Sequence, residues 1–168
     1  MTDETMVGRV WKFGNDISTD VLSPGQYAVA PVEVRKLHVL ESVNKSFAQD
    51  CSAGDIVISG TNFGCGSSRE TAPENLKAVG VACVVAESLA RIFMRNAVAV
   101  GLPVIVCAGV HDAFEDGQQM EVDLATGRVR NLTTGIELQG DSLPEEMRGI
   151  LAAGGILEVL RAQGGVAT

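Results

Sequence analysis

The chain has 168 residues, of which 46% are hydrophobic and 20% are charged, the composition of an ordinary globular protein. A net charge of −8 without any Lys or Arg cluster argues against binding to nucleic acid or to an anionic membrane. Residues 1–6 lack the pattern of a signal peptide, and no stretch approaches the roughly 20 apolar residues of a membrane-spanning helix.

Short apolar runs alternate with turn-rich segments in the first part of the chain. The predicted elements are a strand at 7–13, a polar loop at 14–27, a weak helix at 32–42, a strand at 55–59 and a loop at 60–68. A helix then starts near Thr71, which would form a capping box with Glu74, and Gly80 would stop it.

The following segments predict a parallel α/β unit with right-handed crossovers. They are a strand at 81–86, a helix at 87–98 ended by Gly101, and a strand at 102–107. The last third favours short strands at 120–123, 128–131 and 133–138, a helix at 144–153 and a flexible tail at 162–168. We therefore expect one mixed α+β and α/β domain over residues 1–168, with β-sheet and packed helices in β/β/α layers.

The four cysteines Cys51, Cys65, Cys83 and Cys107 show no metal-ligand spacing. Cys83 and Cys107 lie in apolar runs, where thiols usually belong to the core. A reduced cytoplasmic protein with no metal ligands of its own is the expectation.

The most informative segment is residues 60–70, Gly-Thr-Asn-Phe-Gly-Cys-Gly-Ser-Ser-Arg-Glu, between a predicted strand and a predicted helix. Backbone N–H groups and the positive end of the helix dipole converge on such a loop and favour an anion. Gly64 and Gly66 permit positive φ and a close approach of the backbone to a ligand. Residues 67–69 add two hydroxyls and a guanidinium, which suit a small carboxylate-bearing ligand.

Several rival motifs fail in this loop. A Walker phosphate loop needs a Lys after its glycines, and the dinucleotide pattern GxGxxG fails because Arg69 replaces its last glycine. The serine-hydrolase elbow GxSxG is absent. Two interpretations stay open on residue types alone: Cys65 as an activated nucleophile, and a loop that only makes a tight turn.

Three stretches of the sequence carry a family resemblance. They are FGNDISTD at 13–20 with SPGQY at 23–27, NFGCGSSRE at 62–70, and AESLARIFMRN at 86–96 with GLP at 101–103. In order and spacing they resemble the small subunit of isopropylmalate isomerase, which is similar to the swivel domain of the aconitase family. The resemblance covers nearly the whole chain.

The resemblance implies a reversible dehydration and rehydration that moves a hydroxyl between neighbouring carbons of a malate derivative. Carried over residue by residue, Ser67 would abstract the carbon-bound proton, while Ser68, Arg69 and the backbone at Gly66 would hold a substrate carboxylate. Asp20 would orient a catalytic histidine of a large partner subunit. That partner would hold a [4Fe–4S] cluster, and this chain would be inactive without it.

Substrate choice in the family depends on the segment after the first tyrosine, here Tyr27, Ala28, Val29 and Ala30. A buried wall of small apolar residues favours an alkyl substituent and rejects a charge. Isopropylmalate, in leucine biosynthesis, is therefore the first expectation. A homoaconitase-like member would carry an arginine in this segment, and Arg35 lies close enough to supply one if the loop folds it inward.

Several positions depart from the common family pattern, among them Thr71 where histidine is frequent. These departures keep other interpretations open: a hydratase for dimethylmalate, citramalate or homoaconitate, or a carboxylate-binding module without catalysis. An exposed docking face for the large subunit would also be compatible with homo-oligomers of the isolated chain.

Overall fold

The computed structural model describes residues 4–164, and within that range seven strands form one sheet in the order β4-β3-β2-β1-β5-β6-β7. The strands are β1 (Thr5–Lys12), β2 (Ile56–Ser59), β3 (Cys83–Ala86), β4 (Val104–Val106), β5 (Gln119–Asp123), β6 (Arg128–Asn131) and β7 (Glu137–Gln139). The predicted tail at 162–168 falls partly outside the described residues, which end at 164.

The sheet has a parallel half and an antiparallel half that share β1. The second part of β1 pairs in parallel with β2, from Val10 opposite Ile56 to Lys12 opposite Ile58. The first part of the same strand pairs antiparallel with β5. The predicted parallel unit is confirmed, since β2, β3 and β4 are parallel neighbours joined by helical crossovers.

The parallel half is buried on both faces, so its strands are continuous apolar runs without alternation. Alternate residues point to two different cores. Val57 and Val84 pack with the helices, whereas Ile58 and Val85 pack against Met120 of the antiparallel half. The chain therefore has β/β/α layers, as the sequence predicts.

Within the described range there are eight α-helices, several of only one turn. They are α1 (Thr19–Leu22), α2 (Val32–Arg35), α3 (Phe47–Asp50), α4 (Thr71–Val79), α5 (Arg91–Val100), α6 (Val110–Ala113), α7 (Glu145–Ala153) and α8 (Ile156–Ala162). Helix α4 and its stop at Gly80, a left-handed residue with φ 117°, agree with the prediction. None of these helices is long and apolar enough to cross a membrane.

Several predictions of secondary structure are wrong in detail. The strand expected at 133–138 is observed only as β7, because the residues before it form a turn in which the N–H of Gly135 donates to the carbonyl oxygen of Asn131 at 2.7 Å. The predicted loop at 14–27 contains α1 and a 3₁₀ turn at Gly25–Tyr27, and the helix expected at 32–42 is only α2 followed by the 3₁₀ turn Lys36–His38. The helix expected from residue 87 begins at Arg91, because the backbone before it pairs with the glycine-rich loop. Helix α8, packed on α5 and α7, was not predicted at all.

Candidate carboxylate site

The glycine-rich loop connects the end of β2 to the start of α4, as predicted. Gly64 has φ 83° and Gly66 has φ 104°, conformations that side chains rarely adopt. A Cβ on Gly64 would stand 2.3 Å from Phe93 Cγ, so the backbone lies directly against that ring. The glycines predicted to allow unusual backbone geometry are therefore required here.

The backbone between Cys65 and Arg69 is open to a ligand. Among residues 4–164, no group accepts a hydrogen bond from the N–H groups of Gly66, Ser67 or Ser68, and all three residues are exposed. Exposed N–H donors just before a helix N-terminus form a site suited to an anion. These N–H groups therefore have no acceptor within the described range, and the binding of an anion by them stays a prediction.

The Ser67 hydroxyl lies beside the segment that bears Asp20. Its Oγ is 3.4 Å from Oγ1 of Thr19, a buried residue on α1. The N–H of Thr19 also donates to the carbonyl oxygen of Cys65 at 2.7 Å. Helix α1 and the loop are therefore held together by both backbone and side chain, with Ser67 at their junction.

Arg69 links the same two segments by its guanidinium. Its Nη1 donates to Oδ1 of Asp20 at 3.1 Å and to the carbonyl oxygen of Ser23 at 2.7 Å. Asp20 stays largely exposed, with 74% of its side chain accessible. The structure therefore brings Asp20, Ser67 and Arg69 together at one surface, although they come from two separate stretches of sequence.

The predicted capping box at the start of α4 is wrong. The structure has Glu70 at the N-cap position, without a side-chain cap. Thr71 instead bonds through its hydroxyl to the hydroxyl of Ser23 at 2.7 Å, and Glu74 pairs with Arg35. Both side chains fix the segment after α1 onto α4, and that tertiary contact replaces the local cap.

The segment proposed for substrate choice lies at the surface and follows Gly25, where a Cβ would stand 3.9 Å from Oδ1 of Asp20. Tyr27 stacks on His38 with ring centroids 3.6 Å apart, while Ala28 is exposed and Val29 is 100% accessible. The wall expected to be buried is thus not buried by this chain, because a 3₁₀ turn carries the segment outward and nothing packs over Val29. Ala30 is only partly exposed.

Arg35 does fold inward, but toward α4. It is 8% exposed, and its Nε donates to the carbonyl oxygen of Ala30 at 2.9 Å. Its Nη1 donates to Oδ1 of Asn75 at 2.7 Å, and its other terminal nitrogen forms an ion pair with Glu74. The guanidinium is therefore neutralised within the chain and does not present a free charge at the segment.

All four cysteines are free. Burial raises the pKa of Cys83 well above its usual range and the pKa of Cys51 to about 12, with the Asp55 carboxylate adding to the shift at Cys51. Burial, together with Glu87 and Asp141, raises the pKa of Cys107 to about 11. These three thiols are unsuited to nucleophilic chemistry, since the thiolate is the reactive form.

The sequence prediction missed Thr19, Ser23 and Asn75. Each is buried and bridges α1, or the residues just after it, to the loop or to α4. Thr19 and Ser23 flank Asp20 inside the stretches that carry the resemblance, and this proximity was the available signal. Asn75 gives no local signal, because its partners are distant in sequence.

Comparison with known proteins identifies the family of this chain. The family model of the aconitase C-terminal domain matches residues 25–108, which include the whole loop. The 3-isopropylmalate dehydratase small subunit 1 of Methanopyrus kandleri is 54% identical over 159 residues, covering 94% of this chain and 93% of that protein. The chain belongs to the isopropylmalate dehydratase small-subunit family.

Two further members of the family come from Methanocaldococcus jannaschii. The isopropylmalate/citramalate isomerase small subunit of that organism is 49% identical over 92% of both chains. A crystal structure of 3-isopropylmalate dehydratase superposes with a TM-score of 0.89 and 35% identity, covering 95% of each chain. The isopropylmalate dehydratase small-subunit family consists of hydro-lyase subunits, and the aconitase-type fold predicted from the sequence is confirmed.

Proposed function

We propose that this chain completes the active site of a hydro-lyase that isomerises an alkylmalate, with 2-isopropylmalate to 3-isopropylmalate as the first candidate reaction. The observation that carries the proposal is the junction of Ser67, Arg69 and Asp20 beside three backbone N–H groups that have no acceptor among residues 4–164. Such a junction binds a carboxylate and places a hydroxyl beside it.

In this proposal Ser67 removes the proton from the carbon next to a substrate carboxylate. Serine is a weak base in water, so it needs surroundings that stabilise its anionic form. The neighbouring N–H groups, the start of α4 and the Arg69 guanidinium supply positive potential at the loop. Ser68 and the backbone at Gly66 hold the carboxylate together with Arg69.

We further propose that a large subunit carries the [4Fe–4S] cluster and that the enzyme needs both chains. When bound there, the cluster supplies a Lewis acid for the substrate hydroxyl. Within residues 4–164 no three His, Cys, Asp or Glu side chains are grouped to hold a metal ion. In this proposal the chain itself binds the carboxylate, positions Asp20 toward the partner and accepts the proton at Ser67.

An uncharged alkyl substituent is the favoured feature of the substrate. The segment from Tyr27 to Ala30 offers only small apolar side chains beyond its tyrosine, and the charge of Arg35 is paired with Glu74. A carboxylate placed against this segment would therefore find no cation within the segment and no free charge on Arg35. A methyl-bearing malate is the second candidate, supported by the relative whose name includes citramalate.

The test is a dehydration and isomerisation assay with the cognate large subunit, its cluster reconstituted without oxygen. Isopropylmalate, dimethylmalate, citramalate and homocitrate are assayed with wild-type chain, with Ser67→Ala and with Ser142→Ala, an exposed serine elsewhere, as the matched control. We expect turnover of an alkylmalate only when both chains are present, a loss of at least about 100-fold in Ser67→Ala, and no loss in the control. Carboxylate binding without turnover in any pairing would overturn the catalytic proposal and support a binding module.

We also propose that residues 1–168 form one domain, since the two cores share the strands of a single sheet. Action in leucine biosynthesis in the cytoplasm follows from the proposed reaction. Growth of a leucine auxotroph that expresses both subunits, but not the large subunit alone, tests this assignment.

A further inference from the structure

Residues 22–40 form an excursion from the body of the protein that carries the substrate-choice segment. The excursion is closed at its base, because the N–H of Leu40 donates to the carbonyl oxygen of Val21 at 3.1 Å. Between these ends the chain makes only the 3₁₀ turns Gly25–Tyr27 and Lys36–His38 and the single turn of α2. Such short turns have little stability of their own, so the position of the segment depends on side-chain contacts.

Arg35 makes the contacts that connect this excursion to α4. One guanidinium reaches three partners: the carbonyl oxygen of Ala30 at the end of the segment, and the side chains of Asn75 and Glu74 on α4. Asn75 is fully buried and also contacts the end of α1, since its Nδ2 donates to the carbonyl oxygen of Leu22 at 3.2 Å. The substrate-choice segment, α4 and the end of α1 are thus joined through a single arginine.

The other end of the segment has a separate support. Tyr27 stacks on His38 with an angle of 7° between the rings, and Nδ1 of His38 is 2.8 Å from Oε2 of Glu41. Only Ala28 and Val29, between these two supports, are exposed. The tip that is free to meet a substrate is therefore two small apolar residues long.

We propose that Arg35 is a positioning residue for substrate selection, which holds the tip at Ala28 and Val29 in place relative to α4. The role in substrate selection rests on the proposed function. The positioning of the segment by Arg35 does not depend on that function. Arg35 touches no reacting atom in this proposal. Arg35 would act on the substrate indirectly, by holding the carbonyl oxygen of Ala30 and thereby the turn that precedes Ala30.

The first experiment measures hydrogen exchange in the isolated full-length chain. The N–H groups of Tyr27, Ala28 and Ala30 each donate within the turn, so their exchange rates report its opening. We expect Arg35→Met to speed exchange of these amides at least about tenfold. Arg35→Lys, which keeps the charge opposite Glu74 but cannot reach all three partners, should give an intermediate rate and serves if the Met variant does not fold.

Arg148→Met is the matched control. Arg148 in α7 also donates from Nε to a carbonyl oxygen five residues earlier, that of Leu143 at 3.0 Å, and also pairs with a carboxylate, that of Glu4. We expect this variant to leave exchange of the segment unchanged. Exchange of Tyr27, Ala28 and Ala30 that stays within about twofold of wild type in folded Arg35→Met would overturn the proposal.

The second experiment measures kcat and KM of the two-chain enzyme with isopropylmalate and citramalate. A displaced tip should raise KM for isopropylmalate with little change in kcat, and should reduce its preference over citramalate by about tenfold. A variant that is only less folded would lower kcat and leave KM and the preference unchanged, and that result would overturn the role in selection. If wild-type enzyme turns over neither substrate, the proposed function fails, whereas the exchange experiment still decides the positioning role.

Discussion

Asp20 and Arg69, 49 residues apart in the sequence, form an ion pair of 3.1 Å at the surface where the glycine-rich loop meets α1. The pair is too exposed to contribute much to folding, because solvent screens such contacts and they are typically worth below about 1 kcal/mol. The pair instead matters for geometry, because together with the bond from Arg69 to the carbonyl oxygen of Ser23 it fixes the orientation of the guanidinium at the loop.

Replacing Asp20 by Ala should therefore reduce activity while leaving stability almost unchanged. We expect the free energy of unfolding to change by less than about 0.5 kcal/mol, since the Asp20 side chain is 74% accessible. In the two-chain assay kcat/KM should fall at least about tenfold, because Arg69 loses one of its two oxygen partners. Asp112→Ala, with a side chain 97% accessible, is the control. Activity within about twofold of wild type in Asp20→Ala would remove Asp20 from the site.

Gly64→Ala tests whether the loop depends on close packing against α5. Gly117 has almost the same φ, 86° against 83°, but a Cβ there would meet nothing within 4 Å. Gly117→Ala should thus lose about 1–2 kcal/mol of unfolding free energy from backbone conformation alone. Gly64→Ala should lose about 1–3 kcal/mol more from the clash with Phe93. Urea denaturation of both variants decides, and equal losses would contradict the packing argument.

Asp55 should make stability depend on pH. Burial opposes ionisation of its carboxyl group, but hydrogen bonds from Ser52 N–H, Trp11 Nε1 and Arg9, together with the charge of Arg9, hold the pKa of Asp55 below its usual value. The folded state therefore binds this proton less readily than the unfolded state. Its stabilisation is fully present above the unfolded pKa of about 4 and is lost as pH falls through the folded pKa.

Asp55→Asn tests this dependence. At pH 7 we expect it to reduce the unfolding free energy by about 1–3 kcal/mol, because an ionised acceptor of several hydrogen bonds is lost. The difference from wild type should shrink when the same urea titrations are run near pH 3. Asp141→Asn, at an exposed carboxylate, is the control and should change the unfolding free energy at pH 7 by less than about 0.5 kcal/mol. A constant difference at both pH values for Asp55→Asn would contradict the assignment.

Cysteine labelling offers a simple probe of the loop. At pH 8 the raised pKa values of Cys51, Cys83 and Cys107 keep these groups as unreactive thiols. Iodoacetamide should therefore modify the partly exposed Cys65 first, as peptide mass spectrometry would show. The modified chain should no longer support turnover with its partner, because the added group stands between Gly64 and Gly66. Labelling of Cys51 at the same rate would be contrary to this expectation.

Local patterns in the sequence predicted much of the fold. Apolar runs without alternation marked β3 correctly, and the left-handed glycines Gly80 and Gly101 ended α4 and α5 as expected. The start of α5 could not be predicted in this way. Leu89 and Ala90 directly precede α5 in the sequence, but the backbone of Leu89 pairs with that of Phe63. The N–H of Ala90 donates to the carbonyl oxygen of Phe63 at 2.9 Å.

The candidate site likewise has features that local sequence predicts and features that it does not. Positive φ at Gly66 and the open loop followed from residue types and spacing. The partners of Arg69, Thr71 and Glu74 did not, because each lies on the segment around α1 and α2, about 40 to 50 residues away. From local sequence alone, a capping box is the expected interaction of Thr71 and Glu74. In the structure both side chains instead make tertiary contacts, with Ser23 and Arg35.

The dual pairing of β1 has a consequence for how the chain acquires its structure. This strand is made first but cannot complete its neighbours until Gln119–Asp123 of β5 has left the ribosome. Until then its edge toward β5 is an unpaired template, open to other extended chains. Losing β1 would also leave the parallel and antiparallel halves without their common strand, so we expect them to unfold in one cooperative step.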